Sequence, residues 1–185
     1  TWTGMGFRNL SNSKRSVTKL EDVSGLKVRV MANPDALETW KTIGANAVPM
    51  AFAEVFPALE IKALDGQENP FEVQKYLTIT NHVYTPVAMV ASKKFWDTLS
   101  AADKAGVQKA AVEAGLLQRK LLDEGNADVI GKFKSAGVTV SMMSPAEVAR
   151  IQEKVKPVVD KFAPQIGEDF VKGFYAEIDK ARAAK

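Results

Sequence analysis

The sequence contains no cysteine and only one histidine, His82. The lack of cysteine excludes disulfide bonds, thiolate zinc sites and cysteine nucleophiles, although it does not identify a cellular compartment. A Ser-His-Asp arrangement would depend on His82 alone, and a lone histidine in an apolar strand is more often part of the packing. The HExxH, GxSxG, GxxxxGK and GxGxxG motifs are also missing. The sequence therefore offers little that an enzyme needs.

The charges are nearly balanced, and no apolar run is long. The chain has 25 basic and 22 acidic residues and a net charge of +3, with its lysines interleaved among acidic residues. This distribution argues against a nucleic-acid partner, which requires clustered positive charge. No apolar run approaches the roughly 20 residues that cross a bilayer. The first residues lack the order of a secretion signal, so we expect that a signal was never present or has been removed.

The pattern of apolar residues predicts an α/β fold. Hydrophobic residues make up 46% of the 185 residues, enough for the core of one large domain or two small lobes. Segments that favour strands alternate with segments that favour helices, which is typical of layered sheet and helix. The predicted strands are residues 26–30, 47–50, 76–92 and 137–143. The predicted helices are residues 34–43, 52–60, 100–135 and 145 to the end, with a short helix that opens at residue 18.

Two features of this pattern give specific expectations. The polar run of residues 65–70, DGQENP, is rich in turn-forming residues and predicts a loop between two apolar segments. The last helical stretch begins at Ser144 and Pro145, which combine a capping box with a proline in the first turn. We expect this stretch to be interrupted near Pro157 and Pro164.

Arg29 is the clearest candidate for a binding residue. In the strand of residues 26–30, Leu26 and Val28 point to one face, while Arg29 points to the other. From spacing alone, Arg29 is as consistent with a solvated surface residue as with a cleft residue. An arginine that lines a cleft binds a carboxylate with two parallel hydrogen bonds, a geometry that lysine cannot reproduce. Arg8 is a second candidate of the same kind.

Asp65 and Glu68 are close enough in sequence to form a carboxylate pair or part of a metal site. Both lie in the predicted loop, beside Gly66 and Pro70. Asp and Asn in such turns commonly accept hydrogen bonds from backbone N–H groups. We therefore favour a structural role for both residues and expect no metal site.

Several segments together resemble one family, the solute-binding proteins of tripartite ATP-independent periplasmic (TRAP) transporters, the DctP family. Their order and spacing match as well, and the long helix and the SPAEV helix start resemble later segments of the family. The resemblance therefore covers essentially the whole chain. The segments are GFRNLSNSKRSV (6–17), LEDVSGLKVRVMANP (20–34), GANAVPMAFAEVFPALE (44–60), DGQENP (65–70) and FEVQKYLTITNH (71–82).

The resemblance implies a periplasmic receptor that closes two α/β lobes on a small organic acid and delivers it to the membrane permease subunits. It implies no catalysis, no metal and no cofactor. In the family, the arginine at the position of Arg29 forms a salt bridge with the ligand carboxylate. By the same matching, Arg8 is a second cationic contact, Asn69 is a hydrogen-bonding contact and Phe52 is an apolar wall of the pocket.

The chain departs from the family pattern in two ways. Family members carry a whole lobe before the position of Thr1, and they have roughly ten more residues after the QENP motif. We therefore expect an incomplete clamshell with a long helix that links the lobes, as part of a longer protein. Residues 1–85 and 126–185 would belong to the second lobe, and residues 86–125 to the first lobe and the connecting helix. A strand at residues 87–91 would then expose an edge, and a natural short form could dimerise.

Two alternatives remain from the sequence. One is an enzyme domain in which Arg29 and Arg8 position a carboxylate substrate and Glu68 or Asp65 acts as the base. The other is a protein-interaction module that binds a second chain instead of a small acid.

Overall fold

The computed structural model describes residues 1–69 and 73–184, without the side chains of Asn126 and Ala127. Six strands and six helices lie within these ranges. The strands are β1 (Trp2–Asn12), β2 (Lys27–Val30), β3 (Asn46–Pro49), β4 (Gly66–Gln67), β5 (Tyr76–Ala88) and β6 (Thr139–Met142). The helices are α1 (Pro34–Thr42), α2 (Phe52–Glu60), α3 (Lys93–Thr98), α4 (Ala101–Ser135), α5 (Pro145–Ile166) and α6 (Glu168–Ala183). A single 3-10 turn precedes β2 at Leu20–Val23.

The strands form one six-stranded sheet in the order β3-β2-β4-β1-β5-β6. Strands β2, β3 and β4 run parallel, whereas β1 is antiparallel to both of its neighbours, β4 and β5. The carboxyl ends of β2, β3 and β4 therefore meet at one edge of the sheet. Because β1 runs the other way, its first half passes the same edge, and we call this region the carboxyl edge.

The apolar residues form one cluster on each face of the sheet. Val28 and Val30 of β2 belong to the larger cluster, which includes Trp40 of α1 and against which α5 packs. The smaller cluster is formed by α2 and Leu64, with Val48 of β3 packed against it. The alternation of side chains along β2 thus turns Arg29 toward the face that α2 covers.

The predicted loop at residues 65–70 is wrong in its central part, which forms β4. Gln67 is fully buried and Glu68 is 2% exposed, so this polar run lies inside the fold. Gly66 allows β4 to lie between β2 and β1, because the backbone of β1 at Ser11 and Asn12 passes directly against Gly66. The side-chain amide N–H of Gln67 donates to the carbonyl oxygen of Asn69, whereas the buried Oε1 of Gln67 has no hydrogen-bond partner among the described residues.

The predicted interruption at Pro157 is also wrong, because α5 is continuous from Pro145 to Ile166. Both internal prolines are exposed, so the backbone carbonyl that each leaves without an N–H partner can bind water. The helix ends at Ile166, two residues after Pro164, and is followed by Gly167, whose φ of 111° is readily adopted only by glycine.

The long helix is confirmed. Helix α4 has 35 residues and begins where the Ser100 hydroxyl accepts a hydrogen bond from the Asp103 backbone N–H. The strand predicted at residues 87–91 is present only at its start, because β5 ends at Ala88, where Val87 and Ala88 pair with Thr3 and Trp2 of β1. Strand β1 was not predicted, since its sequence lacks a regular alternation. Within the described ranges, none of the helices has both the length and the apolar character needed to cross a membrane.

The close approach at Gly66 gives a stability prediction. A Cβ atom there would lie 2.9 Å from the Asn12 Cβ and well inside contact distance of the Ser11 carbonyl oxygen. We expect Gly66→Ala to lower the free energy of unfolding by about 1–3 kcal/mol, because two backbones must separate. Chemical denaturation measures this effect.

The control is Gly106→Ala, in exposed α4, where a Cβ meets no atom within 4 Å. This change should raise the stability by up to about 1 kcal/mol, because alanine favours the helix. Equal stability of Gly66→Ala and the wild-type protein would show that the β1 and β4 backbones are not packed this closely.

Candidate functional site

The carboxyl edge brings together residues from four separate segments. Arg29 is the third residue of β2, and its Cα is paired with those of Val48 in β3 and Gln67 in β4. Glu68 and Asn69 follow β4 directly. The edge is closed on its other side by β1, where the Asn9 N–H donates to the Glu68 carbonyl oxygen at 3.1 Å.

Arg29 is a buried cation. Its residue is 4% exposed, so the alternative of a solvated surface arginine is wrong. The Nε and Nη2 groups of Arg29 both donate to the Met50 carbonyl oxygen, at 2.9 and 2.7 Å. Burial lowers the pKa of the Arg29 guanidinium, an effect that the Glu68 carboxylate partly opposes.

The geometry of Arg29 suits a carboxylate ligand. A guanidinium has five N–H groups, and the bonds to Met50 use one edge of it. Within the described ranges, no partner is recorded for Nη1. The end of the side chain, between Nη1 and Nη2, can therefore bind a carboxylate with two parallel hydrogen bonds.

Glu68 is held between two donors. One carboxylate oxygen accepts from Trp40 Nε1 at 2.7 Å, and the other pairs with Arg8 Nη1, also at 2.7 Å. Arg8 is further held by Thr85, whose hydroxyl accepts from Arg8 Nε at 3.1 Å. A carboxylate with both oxygens engaged is poorly placed to act as a general base, which argues against Glu68 in the enzyme alternative.

Asp65 lies at the opposite end of β4 from Glu68. Its carboxylate accepts from the Lys27 backbone N–H at 2.9 Å and lies 3.4 Å from Lys14 Nζ. This contact confirms the interpretation of Asp65 as a partner for backbone N–H groups. Asp65 and Glu68 therefore do not form a pair. In the part of the chain that the structure describes, no cluster of three potential metal ligands occurs.

Phe52 and Asn69 complete the set of predicted residues. Phe52 is the first residue of α2, two positions after Met50, and is 63% exposed. Asn69 is held through its backbone carbonyl oxygen, which accepts from the Ser11 hydroxyl at 2.7 Å. All four sequence-predicted residues, Arg8, Arg29, Phe52 and Asn69, thus belong to segments that meet at the carboxyl edge.

A cavity of about 420 Å³ adjoins this edge on the side of α1 and α5. Arg8, Glu68, Trp40 and His82 line it, together with apolar residues of α5, whereas Arg29 is not among its lining residues. Sequence reasoning did not identify Glu68 and Trp40 as partners. The sequence signal for this contact was the Trp in a predicted helix, because a buried indole N–H needs a hydrogen-bond acceptor.

His82 is a packed histidine. Its Nδ1 lies 2.7 Å from the Thr80 hydroxyl. Its ring packs edge-on against the Trp40 ring, with 5.3 Å between the ring centroids. Burial lowers the pKa of His82 from 6.5 to about 4, against the opposing effect of the Glu68 carboxylate. The ring is therefore neutral at physiological pH, in line with the structural role expected from the sequence.

The lowered pKa of His82 predicts a pH dependence of stability. Above pH 6.5 the ring is neutral in both the folded and the unfolded chain, so it does not make the free energy of unfolding depend on pH. Between pH 6.5 and 4 the unfolded chain binds a proton that the folded protein does not. The free energy of unfolding should therefore fall as the pH decreases, by about 3 kcal/mol over this range.

Denaturation of wild-type protein and His82→Gln across pH 4–7 isolates this contribution, because other groups titrate in both proteins. The difference between the two proteins should change with pH in that range. As His82 is the only histidine, NMR titration of its ring gives the pKa directly, and a value near 6.5 would contradict the burial of the ring.

Comparison with known proteins gives three findings on relatives of this chain. The 2,3-diketo-L-gulonate-binding periplasmic protein YiaO of Escherichia coli (strain K12) is 36% identical over 178 residues, covering 90% of this chain and 54% of the relative. The C4-dicarboxylate-binding periplasmic protein DctP of Rhodobacter capsulatus is 32% identical over 176 residues, covering 90% of this chain and 53% of the relative. The crystal structure of the sugar acid binding protein DctPAm from Advenella mimigardefordensis strain DPN7T, in complex with galactonate, is 43% identical with a TM-score of 0.91, covering 98% of this chain and 61% of that chain.

The likeness to the solved structure confirms the α/β fold of the solute-binding type. This chain spans about half the length of the curated relatives it matches. The family model for bacterial extracellular solute-binding proteins, family 7 (DctP), matches residues 1–165. The resemblance drawn from the sequence is therefore confirmed, and the chain belongs to the DctP family of bacterial extracellular solute-binding proteins.

Proposed function

We propose that this chain is the larger part of a periplasmic receptor that binds a small organic acid reversibly and delivers it to the membrane components of a TRAP transporter. The observation that carries the proposal is the buried guanidinium of Arg29 at the carboxyl edge. Among the described residues, the hydrogen bonds of Arg29 go to the Met50 carbonyl oxygen, which carries no net charge, and a ligand carboxylate would supply negative charge to this buried cation.

The other residues of the edge fit the same role. Arg8 adds a second guanidinium, Phe52 is 63% exposed, and Asn69 lies next to Glu68 on the same loop. Ligands bind preferentially beyond the carboxyl ends of parallel strands in α/β folds. We assign Arg29 to the ligand carboxylate, Arg8 and Asn69 to polar contacts, and Phe52 to the apolar wall.

We further propose that the chain contains most of one lobe and only part of the other. Residues 1–85 and 126–185 would form the lobe with Arg29, and residues 86–125 would belong to the other lobe and the connecting helix. An uncovered apolar surface on α4 supports this division, since Leu116, Leu117 and Leu121 are each more than half exposed. A second lobe would cover such a surface.

The names of the relatives indicate the class of ligand and the compartment. The protein from Advenella mimigardefordensis binds a sugar acid, and the two curated relatives are named as periplasmic proteins that bind a keto sugar acid and a C4-dicarboxylate. A small, oxygen-rich carboxylate in the periplasm agrees with these names. The enzyme alternative is not favoured, because both Glu68 oxygens are engaged and these relatives are named as binding proteins.

Arg29→Lys tests the proposal. Lysine keeps the charge but cannot form two parallel bonds, so we expect the affinity for the acid to fall about ten- to hundredfold. Isothermal titration of the full-length receptor with galactonate or 2,3-diketo-L-gulonate measures the affinity. Circular dichroism and thermal unfolding show whether the fold is retained.

The matched control is Arg119→Lys, at an exposed position of α4, which should leave the affinity unchanged. If Arg29→Lys binds the acid as tightly as the wild-type receptor, the assignment of Arg29 is wrong. Turnover of the bound acid would instead favour an enzyme.

A further inference from the structure

The pairing of β1 with β5 is interrupted at one point. On one side of it Arg8 pairs with Val83, and on the other side Leu10 pairs with Thr78. One residue of β1 therefore faces four residues of β5, residues 79–82, which we call the β5 bulge. A strand with extra residues leaves the regular ladder and bends, and such bulges are frequent beside functional sites.

The β5 bulge lies where the regular sheet ends. Strand β6 pairs with β5 as far as Ile79, and β4 pairs with β1 at Ser11 and Asn12. Beyond the bulge, within the described ranges, β1 and β5 pair with each other alone. Thr85 belongs to this two-stranded part, whereas Glu68 follows β4 on the other side of the bulge. The shape of the bulge therefore sets how these two parts of the fold lie relative to each other.

The side chain of Asn9 holds the β5 bulge. Its Oδ1 accepts hydrogen bonds from the backbone N–H groups of Thr80 and Asn81, each at 2.9 Å. Asn81 has a φ of 45°, a left-handed conformation that costs free energy and persists only where the surroundings fix it. The backbone N–H of Asn9 also donates to the Glu68 carbonyl oxygen at 3.1 Å. Asn9 thus joins the bulge of β5 to the end of β4.

The guanidinium of Arg8 depends on the same geometry. Its Nε donates to the Thr85 hydroxyl at 3.1 Å, and its Nη1 pairs with the Glu68 carboxylate at 2.7 Å. These two partners lie on opposite sides of the bulge, so a change in the bulge moves one relative to the other. Because a guanidinium is a rigid planar group, it cannot keep both bonds when their acceptors separate.

We propose that Asn9 is a positioning residue for the ligand site, and that it fixes the orientation of the Arg8 guanidinium by holding the β5 bulge. The inference rests on the proposed function, in which Arg8 is a polar contact for the acid. Asn9 acts through Arg8 and without touching the ligand. A contact residue that is already held in its binding orientation loses less conformational entropy when the ligand binds.

Asn9→Ala removes both bonds to the bulge and keeps the backbone N–H that binds Glu68. In titrations of the full-length receptor with galactonate and 2,3-diketo-L-gulonate, we expect its affinity to fall about three- to tenfold. The matched control is Asn46→Ala, because Asn46 is exposed at the first position of β3, away from the carboxyl edge. This variant should bind as the wild-type receptor does.

The titrations separate the inference from the proposed function. A folded Asn9→Ala receptor with wild-type affinity overturns the inference and leaves the proposed function intact. If the wild-type receptor binds neither acid, the proposed function fails and the inference fails with it.

A double-mutant cycle with Arg8→Lys distinguishes positioning from a general weakening of the fold. Lysine keeps the positive charge beside Glu68 but lacks the rigid fork that also reaches Thr85. If Asn9 acts through Arg8, Asn9→Ala should change the affinity by less than about twofold in the Arg8→Lys background. An undiminished effect in that background contradicts the inference, and so does an Arg8→Lys receptor with wild-type affinity.

Amide hydrogen exchange measures the two bonds of Asn9 to the bulge directly. The Thr80 and Asn81 amides should exchange slowly in the wild-type receptor and roughly tenfold faster in Asn9→Ala. Asn9→Asp retains an acceptor oxygen and should retain the protection of both amides. Rapid exchange of both amides in the wild-type receptor overturns the inference, and this result does not depend on whether Asn9→Ala folds.

Discussion

The short strand β4 is the constraint on which the site depends. It is only two residues long, yet it joins the parallel strand β2 to the antiparallel strand β1 at the centre of the sheet. Gly66 allows the β1 backbone to approach, and Glu68 then emerges beneath Trp40 and beside Arg8. Without this pairing, Arg8 and Arg29 would belong to separate parts of the fold.

The electrostatics of the edge follow from this packing. Folding removes Arg29 and the Arg8–Glu68 pair from water, and each desolvated charge costs free energy unless it is bound. Arg8 and Glu68 compensate each other, whereas in the described ranges the hydrogen bonds of Arg29 go to the Met50 carbonyl oxygen alone. Folding has therefore already removed Arg29 from water before a ligand binds. A carboxylate that reaches Arg29 stabilises this cation, and such a preorganised site loses little further conformational entropy on binding.

Much of the fold could be predicted from the sequence, because local capping residues determine where the helices start. Ser100 and Ser144 both cap the helices that the pattern predicted. The errors have a common cause, since both Gly66 and Pro157 have strong local preferences that tertiary packing overrides. Arg29 was predicted as a binding residue from its place in a strand and from the family resemblance, and the structure shows that it is buried in β2. The pairing of Glu68 with Arg8 and Trp40 joins residues distant in sequence, and no local pattern indicates it.

The most direct test of the central claim is a crystal structure of the full-length receptor with the small molecule that copurifies with it. We expect one organic acid per chain, with both carboxylate oxygens at about 2.7–2.9 Å from the guanidinium of Arg29. A bound acid whose carboxylate lies elsewhere, with Arg29 still bound only to Met50, would contradict the claim that Arg29 is the residue around which this site is built.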